Sequence, residues 1–440
     1  MSVRVRYAPS PTGLQHIGGV RTALFNYLFA RANGGSFILR LEDTDRARTS
    51  DAYVRNLYDT FSWLGIHWDE GPDVGGPKGP YVQSERFELY RAHARSLLES
   101  GKAYPCFCGE DRLVRMRSDA EPCEGEGAPT YGYDRACREI APASAARRAA
   151  DGEPHVIRLK IPLGGTTRFR DLLLGEIEWR NQDISPDPVL LKSDGFPTYH
   201  LANVVDDHLM EISHVMRAQE WIPSAPLHMI LYEAFGWKPP ALCHLPMVLG
   251  PDGHKLSKRH GATAVNEFRD KGYIPEALIN YVAMLGASYE DGRDLYSLED
   301  LARLFHIERI NKAPAVFDYV KLDWFNGQYI RALPDAELTD LIRPYAVASG
   351  LFGGPEAAPD ASQERIFQGA VPLVKERIAR LDEAPSRLSY LFSEPPPAPV
   401  GEFIPRKLDS VRAAELLGAA AALLPACDLA DIPATEERFR

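Results

Sequence analysis

The sequence predicts an α/β fold that is interrupted by an insertion and followed by an all-helical region, and three observations carry this prediction. Residues 3–8, 17–33 and 36–41 read as strand, helix and strand, which is a β-α-β unit with parallel strands. Composition changes after Tyr104, and strand patterns of the first kind return later in the chain. Beyond residue 265 the apolar spacing becomes almost wholly helical.

The remaining elements follow from local pattern. We expect helices at about 51–64, 84–100 and 219–235. We expect short strands over 156–180 and single strands at 196–205 and 245–249. Segment 105–155 holds four of the six cysteines and an Ala/Arg-rich stretch, so we interpret it as an insertion between two halves of one sheet.

Composition excludes several classes of protein. The chain has 440 residues, of which 45% are hydrophobic and 25% charged, so wholesale disorder and fibrous repeats are excluded and two to four domains are expected. No apolar run approaches the ~20 residues of a membrane helix, and the first residues do not resemble a signal peptide. We therefore expect a cytoplasmic protein with no membrane partner. The net charge of −11 argues against a general nucleic-acid coat protein, although residues 1–50 carry seven arginines against three acids.

The first chemical motif lies between the first strand and the first helix, where residues 9–19 read PSPTGLQHIGG. A glycine pair at a helix N-terminus lets a phosphate approach backbone amides, and the helix dipole favours its charge. His16 could donate to a phosphate oxygen. Alone, this pattern fits a tight turn with a surface histidine equally well.

The second motif is a basic loop, in which residues 250–261 read GPDGHKLSKRHG. Two lysines three residues apart in a glycine-flanked loop can neutralise charge that develops on a triphosphate. By itself, a solvated basic loop is the simpler interpretation.

Together, the two motifs resemble the signature pair of class I aminoacyl-tRNA synthetases, and further motifs resemble the glutamyl-tRNA synthetase family. These motifs are VRTALFN at 20–26, LRLEDTD at 39–45, DEGP at 69–72, QSER at 83–86 and PTYHLANVVDDH at 197–208. The resemblance covers residues 4 to about 330 densely. It implies ATP-dependent activation of L-glutamate to glutamyl-adenylate, with release of pyrophosphate, and transfer to the 3′-terminal adenosine of tRNA(Glu).

The resemblance also implies a domain arrangement. It consists of a Rossmann-like catalytic domain in two halves (1–104 and 196–250), an inserted α+β acceptor-binding domain (105–195), the lysine loop with a helical stem-contact domain (251–330) and a helical anticodon-binding region (331–440). The last region has a net charge of −5 and ends at Arg440 without the Gly-containing helical segment usual in the family. We therefore expect its final subdomain to be truncated.

Site residues follow from the resemblance position by position. It places His16, Lys255 and Lys258 in catalysis. It assigns ATP binding to Thr12, His16, Gly18, Gly19, Glu220, Val248, Lys255, Ser257, Lys258 and Arg259. It assigns glutamate binding to Arg6, Ser10, Glu42, Tyr199, Asn203, Arg217 and Trp221. The two arginines suit the substrate carboxylates, since a guanidinium matches a carboxylate bidentately. Mg²⁺ would accompany ATP, held mainly by phosphate and water.

The cysteines of the insertion resemble the zinc-bearing insertion of some family members. The pattern Cys-x-Cys followed by Tyr-x-x-x-Cys gives Cys106, Cys108, Tyr133 and Cys137 as ligands of a structural zinc ion. Cys123 or an acid could supply the fourth ligand instead, because Glu139 stands where some relatives have a histidine. Reduced, metal-free thiols fit this pattern equally well.

Three other functions remain as alternatives. A glutamyl-queuosine tRNA(Asp) synthetase shares the cysteine pattern and the adenylation core but lacks an anticodon-binding half. A catalytically inactive tRNA-binding paralogue would show erosion at His16, Lys258 or the glutamate pocket. A generic nucleotidyltransferase would have no use for a carboxylate-binding arginine pair. The resemblance implies that the protein is a monomer and that its partners are tRNA(Glu) and L-glutamate.

Overall fold

The computed structural model describes residues 2–44, 49–118, 133–289, 291–393 and 399–426. The chain divides into two compact units, the first comprising residues 1–334 and 375–382 and the second 335–374 and 383–440. The sequence predictions on Asp45, Cys123 and the chain end at Arg440 lie outside the described residues.

Strands and helices alternate through most of the first unit. The strands are β1 (Arg4–Tyr7), β2 (Ser36–Leu39), β3 (Ala103–Cys106), β4 (Val156–Leu159), β5 (Thr166–Asp171), β6 (Gly175–Arg180), β7 (Val189–Leu191), β8 (His214–Ala218), β9 (Ala241–Leu245), β10 (Val248–Leu249) and β11 (Ala315–Val316). The helices of this unit are α1 (Ile17–Ala32), α2 (Asp51–Trp63), α3 (Phe87–Glu99), α4 (Glu110–Ser118), α5 (Pro142–Ala150), α6 (Tyr199–Leu209), α7 (Ala225–Phe235), α8 (Val265–Asp270), α9 (Pro275–Met284), α10 (Leu298–Leu304) and α11 (Tyr319–Ala332). The second unit contains α12 (Asp335–Ala348), α13 (Ala361–Lys375), α14 (Ala384–Leu388) and α15 (Ser410–Leu423).

A parallel β-α-β unit opens the fold, as the sequence predicts. β1 pairs in parallel with β2, and α1 crosses between them. After α1 the chain turns at Gly34, which has a φ of +58°. Gly35 then passes so close to β1 that a Cβ atom there would lie 2.3 Å from the Val3 carbonyl oxygen. Only glycine permits this close return of the chain into β2.

A second parallel pair, β8 and β9, lies beside the first. The Ser213 amide, just before β8, donates to the Arg4 carbonyl oxygen at 2.9 Å. β5 joins β9 in parallel, with Asp171 opposite Leu242, and forms an antiparallel hairpin with β6. This hairpin belongs to the sequence insertion and yet extends the sheet of β8 and β9. A separate antiparallel sheet has the order β3-β4-β7.

Several predicted elements are confirmed. The helices expected at 17–33, 51–64 and 84–100 are α1, α2 and α3, and the short strands expected over 156–180 are β4, β5 and β6. The helix expected at 219–235 is a 3₁₀ turn over Gln219–Ser224 followed by α7.

The strand expected at 196–205 is wrong, because Tyr199–Leu209 forms helix α6. Seven successive residues of this helix, 201–207, are buried. Four of these residues are apolar, and the other three, Asn203, Asp206 and Asp207, are polar but equally buried. The segment therefore has no exposed polar face that would mark the helical period. The next strand of the sheet is β8, which follows α6 in the chain.

The strand expected at 245–249 is also corrected. It consists of the last residue of β9 and both residues of β10, with Pro246 and Met247 between them. Proline has no amide hydrogen to donate to a strand ladder, so a single continuous strand is disfavoured there. β10 pairs instead with β11, far along the sequence.

The main apolar core holds α1 in place and with it the turn that precedes it. Phe25 of α1 packs edge-on against Phe305, with ring centroids 5.5 Å apart, and both rings are buried. In the second unit, Leu338 of α12 and Phe367 of α13 are fully buried. None of the helices in the described residues is both long and apolar enough to cross a membrane.

Candidate active site

The turn before α1 ends in a neutral histidine. His16 caps the helix, and its Nδ1 accepts a hydrogen bond from the Gly19 amide at 3.2 Å. Burial lowers the pKa of His16 and Lys255 lowers it further, while Glu220 opposes the change. Because Nδ1 is an acceptor, Nε2 carries the proton and can donate. The first turn of α1 has no acidic residue, so this helix end favours an anion.

The glycine pair is required sterically. A Cβ atom on Gly19 would lie 2.8 Å from the Tyr7 hydroxyl oxygen, and one on Gly18 would lie 3.3 Å from the His16 ring. The Tyr7 hydroxyl is itself fixed, because it donates to the Gln15 side-chain oxygen at 2.9 Å. Side chains at Gly18 and Gly19 would therefore displace the groups that shape the turn.

The two sequence motifs meet in space. His16 and Ala264 form an antiparallel bridge, in which the Ile17 amide donates to the Thr263 carbonyl oxygen and the Val265 amide donates to the Gln15 carbonyl oxygen, both at 2.9 Å. The chain segment that follows the lysine loop is thus tied directly to the turn before α1.

The lysine loop is anchored at its base. Leu249 and Lys255 form an antiparallel bridge, and the Leu256 amide donates to the Val248 carbonyl oxygen at 3.0 Å. The Lys255 ammonium pairs with the Glu220 carboxylate, so these two predicted site residues are brought together. Val248 is buried beneath the loop.

Lys258 differs from the other lysine and the arginine of the loop, whose side chains are paired with carboxylates. It begins a 3₁₀ turn, Lys258–His260, that Ser257 caps. Arg259 and His260 both contact the Asp252 carboxylate, at 3.0 and 2.9 Å. Within the residues that the structure describes, the exposed Lys258 ammonium has neither an ion-pair nor a hydrogen-bond partner. It is therefore the loop cation most available to an incoming anion.

A second group of predicted residues surrounds Arg217, at the end of β8. Its Nη1 donates to the Tyr199 hydroxyl at 3.3 Å, and its Nη2 donates to the Trp221 carbonyl oxygen at 3.2 Å. The rings of Tyr199 and Trp221 lie 4.7 Å apart. In the described part of the chain, no carboxylate lies within ion-pair distance of the buried Arg217 guanidinium. A buried positive charge with only neutral partners is suited to a carboxylate ligand.

Arg6, Glu42 and Asn203 form a third group, joined through two residues that sequence reasoning did not assign. Arg6 binds Asp207 through Nε and Nη2, at 3.0 and 3.3 Å. Arg40 donates to Asp207 at 2.7 Å and to Glu42 at 3.0 Å. Asn203 lies 3.5 Å from the same Glu42 oxygen. Arg6 is thus already paired within the protein through Nε and Nη2.

Burial and charge act in opposite directions on these two carboxylates. Burial raises the pKa of Glu42, although Arg40 and Arg6 oppose the change. Burial would also raise the pKa of Asp207, but Arg6 and Arg40 together hold it below its usual range. Asp207 therefore stays ionised and keeps both guanidinium groups in place.

Ser10 and Thr12 lie in the turn that faces this group. The Thr12 amide donates to the Ser10 carbonyl oxygen at 2.8 Å, and the Glu42 amide donates to the Pro9 carbonyl oxygen at 3.0 Å. The exposed Ser10 is therefore held close to Glu42 through the backbone.

The sequence reasoning missed a set of polar residues behind the site, the half-buried His200 and five that are buried: Arg40, Asp171, Asp207, His228 and His244. Arg40, His200 and Asp207 lie within the sequence motifs at 39–45 and 197–208, and this position could have identified them as site residues. Asp171, His228 and His244 lie outside those motifs, and only their contacts reveal them.

The cysteines of the insertion converge on one point. The sulfur atoms of Cys106, Cys108 and Cys137 all lie within 4.8 Å of one another. The Cys106 thiol donates to the Tyr133 hydroxyl oxygen at 3.2 Å, and this oxygen lies 3.7 Å from the Cys108 sulfur. The Glu139 side chain is 89% exposed and pairs with Arg138.

The comparisons with known proteins agree with this geometry. The family model described as tRNA synthetases class I (E and Q), catalytic domain, matches residues 2–324, which include both the turn before α1 and the lysine loop. The fold and the site together thus define a class I tRNA synthetase.

Similar proteins identify the particular family within this class. A glutamate–tRNA ligase of Treponema denticola is 56% identical over all of this chain and 89% of that protein. One from Treponema pallidum is 52% identical over all of this chain and 88% of that protein. The crystal structure of a glutamate-tRNA synthetase from Elizabethkingia anophelis superposes with a TM-score of 0.82 at 33% identity, over 96% of this chain and 86% of that one. The chain belongs to the glutamate–tRNA ligase family, and the resemblance found in its sequence motifs is confirmed.

Gly19→Ala should weaken use of ATP, the substrate that membership of class I implies. The new methyl group would meet the Tyr7 hydroxyl, so we expect the KM for ATP to rise by about tenfold. Adding Tyr7→Phe removes the clashing oxygen and should restore part of the loss in a double-mutant cycle. An unaltered KM in Gly19→Ala would contradict this steric account.

The unfolding free energy should fall as the pH is lowered from about 7 to 5, partly because of His200. Burial lowers the pKa of His200 from 6.5 to about 4, with a further contribution from Arg217. The unfolded chain binds a proton below pH 6.5 that the folded chain resists, so protonation favours unfolding. His200→Gln should reduce the loss at pH 5 by about 1–2 kcal/mol, measured by urea unfolding. His306→Gln, at an exposed position, is the matched control, and parallel curves for wild type and His200→Gln would contradict the assignment.

Proposed function

We propose that this chain carries out the glutamate–tRNA ligase reaction at the site where the turn before α1 meets the lysine loop. A glutamate carboxylate oxygen attacks the α-phosphorus of ATP, pyrophosphate leaves, and glutamyl-adenylate forms. A hydroxyl of the 3′-terminal adenosine of tRNA(Glu) then attacks the activated carbonyl carbon, and AMP leaves. The observation that carries the proposal is the His16–Ala264 bridge, since it brings the anion-binding helix end and the lysine loop together.

No protein nucleophile is needed, because the substrate supplies it and the enzyme positions and neutralises charge. His16 donates from Nε2 to the ATP phosphates, and Gly18 and Gly19 leave room for close approach. Lys258 stabilises charge on the phosphorus and the leaving pyrophosphate, with Lys255 in support. The other ATP contacts that we propose are Thr12, Glu220, Val248, Ser257 and Arg259. Mg²⁺ would accompany ATP, held mainly by phosphate and water, and would supply further positive charge there.

Glutamate would bind between the two arginine groups. Arg217, which has only neutral partners, and Arg6, through its remaining Nη1, take the two carboxylates. Glu42 and Ser10 take the ammonium group, and the chain of the substrate lies against Tyr199, Asn203 and Trp221. An arginine aimed at the side-chain carboxylate disfavours glutamine, since an amide forms no charge-assisted pair with it.

Binding of tRNA would use the rest of the chain. We assign the acceptor end to the inserted segment 105–195, the stem to 251–330 and the anticodon to the helical region 331–440. Recognition of splayed bases by stacking and edge hydrogen bonds tolerates the net charge of −5 in the last region.

The test of this function is aminoacylation with radiolabelled glutamate, ATP and Mg²⁺, with purified tRNA(Glu) and tRNA(Gln) in separate reactions. Charging of tRNA(Glu) is the expected result. Charging of tRNA(Gln) as well would make the enzyme non-discriminating, and charging of neither would contradict the proposal.

Lys258→Ala should cripple adenylation while leaving tRNA affinity intact. The loss of a cation that acts on developing charge predicts a fall in kcat/KM of about 10²–10³-fold. Lys238→Ala, which removes another exposed lysine, is the control. Filter binding of tRNA measures the affinity, and unchanged aminoacylation by Lys258→Ala would remove Lys258 from the phosphate site.

We also propose that the cysteine cluster holds a structural zinc ion. Three thiolates and one oxygen would satisfy its preference for four ligands in a tetrahedron, and the separation of the sulfur atoms is compatible with zinc–sulfur bonds of ~2.3 Å. Tyr133 is the fourth ligand that the geometry favours, because its hydroxyl lies beside two of the sulfur atoms. The ion would brace the inserted segment.

Metal analysis of the purified chain should find about one zinc ion per chain. Cys108→Ser should lose the ion and lower the thermal stability, because it removes one thiolate ligand. Cys243→Ala, a buried cysteine outside the cluster, should retain it. Wild-type protein that is active and free of zinc would show that the thiols are simply reduced.

A further inference from the structure

A buried chain of hydrogen bonds runs behind Arg217, beginning at Asp171. One oxygen of this carboxylate accepts from the amides of Leu173 and Leu174, at 2.9 and 3.0 Å. The other accepts from the backbone amide of His244 at 3.0 Å and contacts its Nδ1 at 2.7 Å. The side chains of Asp171 and His244 are wholly buried. All the partners of this carboxylate are therefore donors.

This arrangement decides which nitrogen of His244 carries the proton. Burial would raise the pKa of Asp171, but His244 and the two leucine amides hold it below its usual range. The ionised carboxylate accepts, so Nδ1 of His244 must donate. Nε2 is then an acceptor, and it lies 3.1 Å from the Nε atom of Arg217, which donates to it.

A second histidine, His228, also lies beside the Arg217 guanidinium. Nδ1 of His228 lies 3.5 Å from Nη1 of Arg217, and its Nε2 lies 3.1 Å from Nδ1 of His200. Burial lowers the pKa of His228 well below its usual range, and Arg217 lowers it further, so the ring is neutral. Arg217 is thus held by neutral acceptors, which orient its charge without cancelling it.

We propose that Asp171 and His244 are positioning residues for substrate recognition: the carboxylate fixes the His244 tautomer, and the histidine in turn fixes the Arg217 guanidinium that binds a glutamate carboxylate. This inference rests on the role of Arg217 in the proposed function. Asp171 comes from the β5–β6 hairpin of the inserted segment, so the insertion completes the amino-acid pocket. Neither positioning residue touches the substrate.

Asp171→Asn is the sharpest test, because it preserves shape and replaces one of the two accepting oxygens by a donor. When the amide oxygen of the new side chain accepts from the two leucine amides, its NH₂ group faces His244 and accepts neither from the backbone amide of His244 nor from its Nδ1. His244 would then accept at Nδ1 and carry its proton on Nε2, where it opposes the Arg217 N–H.

Steady-state aminoacylation by the full chain should show a KM for L-glutamate raised by about tenfold or more, as expected when one charge-assisted hydrogen bond is misdirected. The kcat and the KM for ATP should change by less than about twofold, since neither depends on the orientation of Arg217. Asp183→Asn, a surface carboxylate of the same inserted segment that pairs with Arg180, is the matched control.

A pair of His244 variants keeps the proposal testable if Asp171→Asn folds poorly. His244→Gln retains both an acceptor for Arg217 and a donor for Asp171, so its KM for glutamate should stay near the wild-type value. His244→Leu retains neither and should resemble Asp171→Asn. A merely structural role predicts instead that both variants lose activity in proportion to their thermal stability, with no selective change in the KM for glutamate, and that result would overturn the proposal.

Arg217→Lys separates this inference from the proposed function. If Arg217→Lys raises the KM for glutamate and neither Asp171→Asn nor His244→Leu does so, the positioning role is wrong and the proposed function stands. If Arg217→Lys also leaves the KM unchanged, Arg217 does not bind the substrate: its assignment and the positioning role are both wrong, while the ligase reaction, which the assay itself measures, stands.

Discussion

The site depends on one fully buried guanidinium, that of Arg40. It lies 2.7 Å from Asp207, 3.0 Å from Glu42 and 3.7 Å from Asp206, and none of its side chain is exposed. Burying such charges costs several kcal/mol per ion unless each is paired and hydrogen-bonded. The group therefore has one stable arrangement, in which β2 and α6 are held at a fixed separation. Removing one charged partner would leave another charge buried and unpaired, which would lower the free energy of unfolding by about 3–5 kcal/mol.

The same group extends to the first strand and to α3. Arg6 of β1 binds Asp207, while Arg86 and Tyr90 donate to Asp206 at 2.7 and 2.9 Å. The arginine group thereby connects β1, the segment after β2, the start of α3 and α6, which lie far apart in the sequence. It also explains why Arg6 cannot be treated as a free cation, since part of its charge is already used to hold α6 in place.

Arg217 is also a buried arginine, but its partners differ from those of Arg40 in carrying no negative charge. Its partners are the Tyr199 hydroxyl, the Trp221 carbonyl oxygen and the rings of His228 and His244, all of them neutral. Neutral acceptors satisfy hydrogen bonds without supplying a counter-charge, so the positive charge remains available to a ligand. In this site Arg40 is paired with carboxylates of the protein, whereas Arg217 has neutral partners.

The sequence by itself determined the family, the α/β class, the first helices and strands, and the residues of the two motifs around His16 and Lys258. These follow from local spacing, because a β-α-β unit, a glycine turn and a lysine loop are each encoded within a few residues. Local spacing did not identify α6, since its polar residues Asn203, Asp206 and Asp207 are buried together with its apolar ones. Nor could it reveal that Arg6 is paired with Asp207, or that Asp171 and His244 stand behind Arg217. Only the tertiary structure decided those points, because a buried charge or tautomer is set by partners that lie far away in sequence and come together only when the sheet is assembled.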